Sequence, residues 1–315
     1  MQNMPNVSVC IPTYNGARYL PGAIDSVLAQ TYQDFEIVIV DNASEDSSVE
    51  LLMQLAKRSD KIRFFRNTRN LGPASNFNRC AQLARGQFIK YLCVDDLLLP
   101  HCLAFLIQGL QDHPEAVLAC GGRISITDEG KAFGLRHYAA RDSIFHGSIV
   151  VSRCLLSCNY IGEPSAVLFR KSDMQFGFRD ELPQLMDMEL WLRMLEKGDL
   201  LNIGAPVCAI RFHAGQMTHG NIRSGALVKD NIRIYTELSA RVDFRITPIQ
   251  ALQHKLRMTY RVWVSRQFIT AQARRDVLRR FGSPLAYYFM PIIFSLLLAK
   301  RNFVINFWRQ YRHIN

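Results

Sequence analysis

The sequence predicts an α/β fold: a mostly parallel sheet flanked by helices, followed by a basic helical extension. Three observations carry this reading. Through the first 120 residues, short apolar runs alternate with stretches of helical spacing across short connections, the pattern of a parallel sheet covered by crossover helices. Polar residues collect just after the apolar runs, where open α/β sheets bind ligands. Beyond residue 221 the pattern turns helical and the net charge changes sign.

Residues 7–11 (VSVCI) read as a buried strand broken by Thr13-Tyr14-Asn15-Gly16. Tyr19, Leu20, Ala23, Ile24, Val27 and Leu28 then recur at helical spacing, with Pro21 tolerable in the first turn. Residues 36–40 (EIVIV) form a second strand ending on Asp41. Ser47-x-x-Glu50 fits a capping box for a helix reaching about Lys57. A third strand covers 62–65, and Asn70-Leu71-Gly72-Pro73 turns the chain into a helix marked by Phe77, Cys80, Ala81 and Leu83. A fourth strand, 88–94, delivers Asp95 and Asp96 side by side, and Pro100 suits the first turn of a helix through about Leu110. Residues 116–120 are a fifth strand. After residue 150 the alternation weakens. Residues 166–169 and 207–212 look like strands, and Met188, Trp191, Leu192 and Leu195 give one helix its apolar face.

The 315 residues hold 49% hydrophobic and 21% charged side chains, so a packed core is within reach. Residues 1–221 carry 21 Lys/Arg against 23 Asp/Glu, a net −2, whereas residues 222–315 carry 17 against 4, a net +13. Such a tail calls for an anionic partner. No nucleic-acid motif accompanies it, so nucleic acid is not the expected partner. Eight cysteines without a C-x-x-C pair read as small core residues in a reducing cytosol rather than as a zinc site. No basic start with a long apolar stretch opens the chain, and no run of 18 uninterrupted apolar residues occurs, so neither a secretory signal nor a spanning helix is expected.

Neither G-x-G-x-x-G after the first strand nor G-x-x-x-x-G-K-[ST] is present. Acids stand where a phosphate loop would have glycines. Paired carboxylates at a strand mouth suit a hard divalent ion, Mg2+ or Mn2+, which binds carboxylates and substrate phosphates together.

The segments VSVCIPTYNGARYLPGAIDSVLAQTYQDFEIVIVDNASED, NLGPASNFNRCAQLARGQFIKYLCVDDLLLP, ELPQLMDMELWLRM and IRFH occur in that order. Together, over about residues 5–215, the chain resembles a family 2 glycosyltransferase of the bacterial surface-polysaccharide type. The resemblance implies the Rossmann-like GT-A nucleotide-sugar-binding fold, with a catalytic domain at 1–220 and a basic, mainly helical region at 221–315. The metal strand shows the shorter x-Asp-Asp form, since Cys93 and Val94 precede Asp95-Asp96. By resemblance, Pro12, Thr13, Tyr14 and Asn15 line the nucleotide pocket. Asp41 accepts a hydrogen bond from the base, uracil, and Asn42 and Ser44 close that end. Asn70 and Asn76 shape the neighbouring loop. Asp95 lies near the sugar and ribose, Asp96 reaches the metal, and His213 touches the metal or diphosphate. Asp187 is the general base of an inverting transfer from a nucleotide-sugar to a saccharide or lipid-linked saccharide.

Other readings of these residues stay open. Asp187 also suits the N-cap of its helix, with Glu189 as the alternative base, His213 also suits a structural role, and Asn70 a turn. A sugar-phosphate nucleotidyltransferase would need a Gly-rich basic loop that TYNGARYL lacks, while a non-catalytic module of the same fold would have no need of the four acids. Residues 284–299 (PLAYYFMPIIFSLLLA), flanked by Arg279-Arg280 and Lys300-Arg301, are too short for a hydrocarbon core of about 30 Å. They suit a buried helix or an interfacial segment drawn to anionic lipid. The second option places the protein in the cytoplasm, peripherally at the inner face of the cell membrane.

Overall fold

The computed structural model describes residues 4–174, 177–239, 248–264, 266–267 and 270–290. The elements run β1 (Val7–Thr13), α1 (Leu20–Leu28), β2 (Phe35–Asp41), α2 (Ser48–Leu55), β3 (Ile62–Arg66), α3 (Pro73–Leu83), β4 (Phe88–Tyr91) and β5 (Leu97–Leu98). They continue with α4 (Cys102–Asp112), β6 (Ala116–Ile126), β7 (Ala132–Arg136), β8 (Ser143–Phe145), α5 (Gly147–Leu155), β9 (Val167–Arg170), α6 (Met186–Leu195) and β10 (Asp199–Arg211). Helices α7 (Met217–Arg223), α8 (Ala226–Ser239), α9 (Pro248–Val264), α10 (Ala271–Phe281) and α11 (Pro284–Tyr288) follow. The chain divides into two compact units, Met1–Cys154 with Asn159–His213, and Leu155–Cys158 with Ala214–Asn315.

In the first unit the strands form one sheet in the order β3-β2-β1-β4-β9-β6-β10-β5, with β7 on β6 and β8 on β10. Neighbours β3, β2, β1 and β4 are parallel, as are β6 and β10. Strands β1 and β2 are buried along their whole length, which is why they read as continuous apolar runs rather than as alternating ones. Helix α3 packs on β1 and β2, and α4 on β6 and β10. The parallel half aligns the carboxyl ends of β1, β2, β3 and β4 along one edge, which places the site.

Several boundaries differ from expectation. Strand β4 stops at Tyr91, and residues 92–96 form a turn closed by the Asp96 N–H donating to the Cys93 carbonyl at 3.0 Å. The following apolar pair is the short strand β5, antiparallel to β10, so α4 begins at Cys102, after Pro100. The capping box does not form: Ser47 makes no side-chain cap. The Asp46 carboxylate instead accepts from the Ser48 N–H at 3.0 Å and the Ala17 N–H at 3.1 Å. One carboxylate thereby serves the start of α2 and the loop after β1 together, which a local serine cap cannot do.

The second unit has its own small core of Val228, Met258, Val262, Val277 and Leu278, packed by Ile232 and Tyr287. No helix among the described residues is long and apolar enough to cross a membrane. Of the apolar run at 284–299, residues 291–299 lie outside the described residues.

Candidate active site

The donor end is built from the loops after β1, β2 and β3. Thr13 and Asp41 are the last residues of β1 and β2 and pair across the ladder. Asp41 is fully buried. Its Oδ2 accepts from the Ser44 N–H at 3.0 Å and lies 3.4 Å from the Arg66 Nε. Its Oδ1, like the Thr13 hydroxyl, has no hydrogen-bond partner among the described residues. A buried carboxylate oxygen without a donor is costly, which marks both atoms as candidate ligand contacts. Asn15 (φ 50°) and Ala43 (φ 60°) take left-handed turns. The Asn15 N–H donates to the Ser44 hydroxyl at 2.8 Å, and the Asn15 side-chain Oδ1 accepts from the Glu45 N–H at 2.9 Å. Tyr14 points its ring outward, 43% exposed, while Pro12 is buried within β1 opposite Val40.

Asparagines tie these loops together. Asn42 donates to Asn70 Oδ1 at 2.8 Å and accepts from Asn67 Nδ2 at 2.7 Å and from the Leu71 N–H at 3.0 Å. Asn67 donates to Asn76 Oδ1 at 3.0 Å, and Asn76 donates to the Val40 carbonyl at 3.0 Å. Asn76 and Asn42 are buried, so their amides brace these loops from within. Asn70 also makes a local turn with the Gly72 N–H at 2.9 Å, so its turn-forming and loop-shaping readings coincide. Asn67 was not anticipated. It follows β3 directly, and the rule that picked Asp41 and Asp95 would have found it.

At the centre, the turn after β4 presents the paired acids. Asp96 is 3% exposed. It accepts from the Ser165 hydroxyl at 2.6 Å and from the Arg211 backbone N–H at 3.0 Å. Burial, then the Asp95 charge, pushes its carboxyl well above the usual range. Asp95 Oδ2 lies 3.1 Å from His213 Nε2, and the Arg211 Nε donates to the Asp95 carbonyl at 2.9 Å. The Tyr19 ring lies tilted against His213 with ring centroids 5.0 Å apart, and its hydroxyl donates to Asp128 at 2.8 Å. Ser165 is a hub: its oxygen also accepts from the Cys93 N–H at 2.9 Å, and its carbonyl accepts from the buried Lys90 ammonium at 2.5 Å.

The donor set fits a hard divalent ion. One ligand atom each from Cys93, Asp95 and Asp96 lie within 4.8 Å of one another. Burial and the neighbouring Asp96, Asp95 and Asp187 charges hold the Cys93 thiol well above its ordinary range, so it stays protonated and is a poor ligand. Two carboxylates remain, oxygen donors of the kind Mg2+ or Mn2+ takes, with the His213 imidazole against Asp95.

Asp187 is not an N-cap. Leu185 caps α6, and Asp187 stands in its first turn, where a negative charge is favoured. Its Oδ1 accepts from the Met188 N–H at 2.7 Å and its Oδ2 from Asn159 Nδ2 at 3.3 Å. Burial, with a further push from Glu163, raises its carboxyl to about 7. Glu189 is otherwise engaged: 2% exposed, it binds Arg193 at 2.7 Å and Arg179 at 3.3 Å. Both of its charged partners are guanidiniums, the arrangement of a structural ion-pair cluster. Behind Asp187, Trp191 is fully buried and donates to the Gly162 carbonyl at 3.2 Å.

Residues 8–175 match the glycosyl transferase family 2 model. The chain belongs to glycosyl transferase family 2. An uncharacterized protein of Mycobacterium tuberculosis is 32% identical over 244 residues, covering 74% of this chain and 76% of that one. An uncharacterized glycosyltransferase of Rickettsia felis is 31% identical over 216 residues, covering 67% of this chain but only 35% of its own length. Among solved structures, S. aureus TarS (residues 1–349) in complex with UDP aligns with TM-score 0.56 and 15% identity, covering 86% of this chain and 85% of TarS. Its complex with UDP-GlcNAc gives TM-score 0.58 at 15% identity, covering 85% and 82%. The fold is therefore GT-A, and this family 2 member is a glycosyltransferase.

Proposed function

We propose that the protein transfers a sugar, with inversion, from a UDP-sugar to a hydroxyl of a saccharide or lipid-linked saccharide in cell-surface polysaccharide synthesis. The observation that carries this is Asp187: a half-buried carboxylate in the first turn of α6, bonded to Asn159 and raised by burial to about 7, which is where a general base works best at neutral pH. Asp187 accepts the proton of the acceptor hydroxyl as its oxygen forms a bond to the anomeric carbon. The bond from that carbon to the diphosphate oxygen breaks, and the nucleoside diphosphate departs with the electron pair. Asp41 Oδ1 accepts from the nucleobase and the Thr13 hydroxyl bonds to it, both atoms having no partner among the described residues. Asp95 and Asp96, with His213 against Asp95, would hold a divalent ion such as Mg2+ or Mn2+, which when bound would supply positive charge for the leaving diphosphate.

TarS has been captured with UDP and with UDP-GlcNAc, and this chain shares its fold, which supports a UDP-sugar donor. The direct test is release of nucleoside diphosphate from UDP-, GDP- and dTDP-sugars, with and without excess chelator. Turnover of a UDP-sugar that chelation abolishes is expected. Full turnover in chelator overturns the metal assignment, and turnover of GDP-sugars alone overturns the uracil assignment.

The same proposal includes peripheral contact with an anionic membrane through the second unit. On α9, Ile249, Leu252 and Leu256 are exposed at helical spacing, and on and just after α11 so are Leu285, Tyr288 and Phe289. A shallow groove of about 420 Å3 between these helices is lined by Leu252, Lys255, Leu256, Leu285 and Phe289. Exposed Arg279 and Arg280 precede it. Apolar side chains beside cations suit the boundary between anionic headgroups and acyl chains.

A further inference from the structure

The base stands against a turn that no sequence motif announces. Asn159 grips Gly162 from both sides, donating to its carbonyl at 3.1 Å and accepting from its N–H at 3.0 Å. Its amide also reaches Asp187 Oδ2 at 3.3 Å. Gly162 has φ +129°, and a Cβ there would run into the Arg123 guanidinium, so only glycine fits. The turn is anchored to α6 through the Trp191 indole, which donates to the Gly162 carbonyl at 3.2 Å, and to β6 through Arg123, which donates to the Tyr160 carbonyl at 3.3 Å. Next in the chain, Glu163 lies 2.8 Å from Arg136 and 3.6 Å from Arg123. Burial pushes the Glu163 carboxyl up, but the two guanidiniums outweigh it and bring the group to about 2. Glu163 is therefore ionised throughout the working range of an enzyme. Glu163 and Arg123 act on Asp187 with opposite signs, and Cys93 shares its surroundings from the turn after β4.

We propose that Asn159 and Glu163 are positioning residues for Asp187: the Asn159 amide aims the carboxylate, and Glu163, ion-paired at the end of the turn that Asn159 closes, sets the charge around it. The two guanidiniums hold that charge in place, so its distance from the base does not depend on a mobile side chain. This inference rests on Asp187 being the base.

The test is the pH profile of sugar transfer by the full-length protein, with nucleotide binding measured in each variant. Glu163→Gln removes the neighbouring negative charge and leaves the guanidiniums unbalanced, and both effects favour ionised Asp187. The acid limb of kcat should move down by about one pH unit. Asn159→Asp adds a like charge and should move the limb up by a similar amount. Asn159→Ala should lower kcat on the order of 10-fold through misaimed chemistry while leaving the donor KM unchanged. Displacements of opposite sign from two isosteric changes are what a merely structural role would not produce. Should Glu163→Gln fail to fold by circular dichroism, the Asn159→Asp limb alone decides. An unmoved limb in the folded variants overturns the inference. Asp187→Asn separates the two levels: native transfer in that variant overturns the base itself, whereas its inactivity with unmoved limbs in the others overturns only the positioning.

Discussion

A single carboxyl group can be asked two questions, and Asp187 answers them with opposite signs. For catalysis, Asp187→Asn keeps the shape but loses the proton acceptor. Sugar transfer should fall about 10²-fold or more, with nucleotide binding unchanged by calorimetry. For stability, the folded protein holds Asp187 at about 7, against an unfolded value near 3.8. Between those values the folded state binds more protons, so this group's contribution to stability falls as pH rises from 4 to 7. Asp187→Asn should therefore melt higher than the native protein at pH 8, and the gap should close as pH falls toward 4. A lower melting point for the variant at pH 8 would show that the carboxylate is stabilised by its surroundings. Asp41 poses a simpler case. Its unpartnered Oδ1 predicts that Asp41→Asn weakens UDP binding about 10- to 100-fold, the scale of one hydrogen bond to a charged acceptor. Unchanged affinity would mean that the base contacts something else. Both acids were visible in the sequence because each stands at a helix start or a strand end. Asn159, Glu163 and Ser165 were not, because they lie in an irregular turn whose importance comes from residues 28, 27 and 69 positions away or farther.

Among the elements, the start of α2 shows how local sequence can mislead. Ser47 and Glu50 have the spacing of a capping box, but Asp46 does the capping. Asp46→Ala should destabilise the protein by about 1 kcal/mol, whereas Ser47→Ala should change little. Urea denaturation of the two variants decides, and a reversed ranking would restore the serine cap. The strands of the first half were legible because full burial makes them uninterrupted apolar runs. The pairing of β9 between β4 and β6 was not. It joins residues 88–90 to 168–170 in antiparallel register, and no periodicity within one segment encodes a distant partner. The end of β4 was misplaced for a related reason. Leu92 is fully buried, so hydropathy extends the strand past the point where the ladder stops.

For the whole molecule, the charge asymmetry of the sequence has a physical address in the second unit. Intact protein should sediment with anionic vesicles but not with neutral ones, and 0.5 M salt should weaken the association. Leu285→Asp combined with Tyr288→Asp should abolish it. If the doubly substituted protein sediments as the native one does, the exposed side chains of α9 and α11 are not the contact. The chain's long-range arithmetic of charge was legible at once, because composition needs no geometry. Which apolar side chains face outward was not, because that depends on how α9, α10 and α11 pack around Val262 and Leu278. The quartet Asn42, Asn67, Asn70 and Asn76 has a consequence of its own. Primary amides neither ionise nor attract counterions, so a pocket wall braced by them keeps its dimensions in acid, in alkali and in brine.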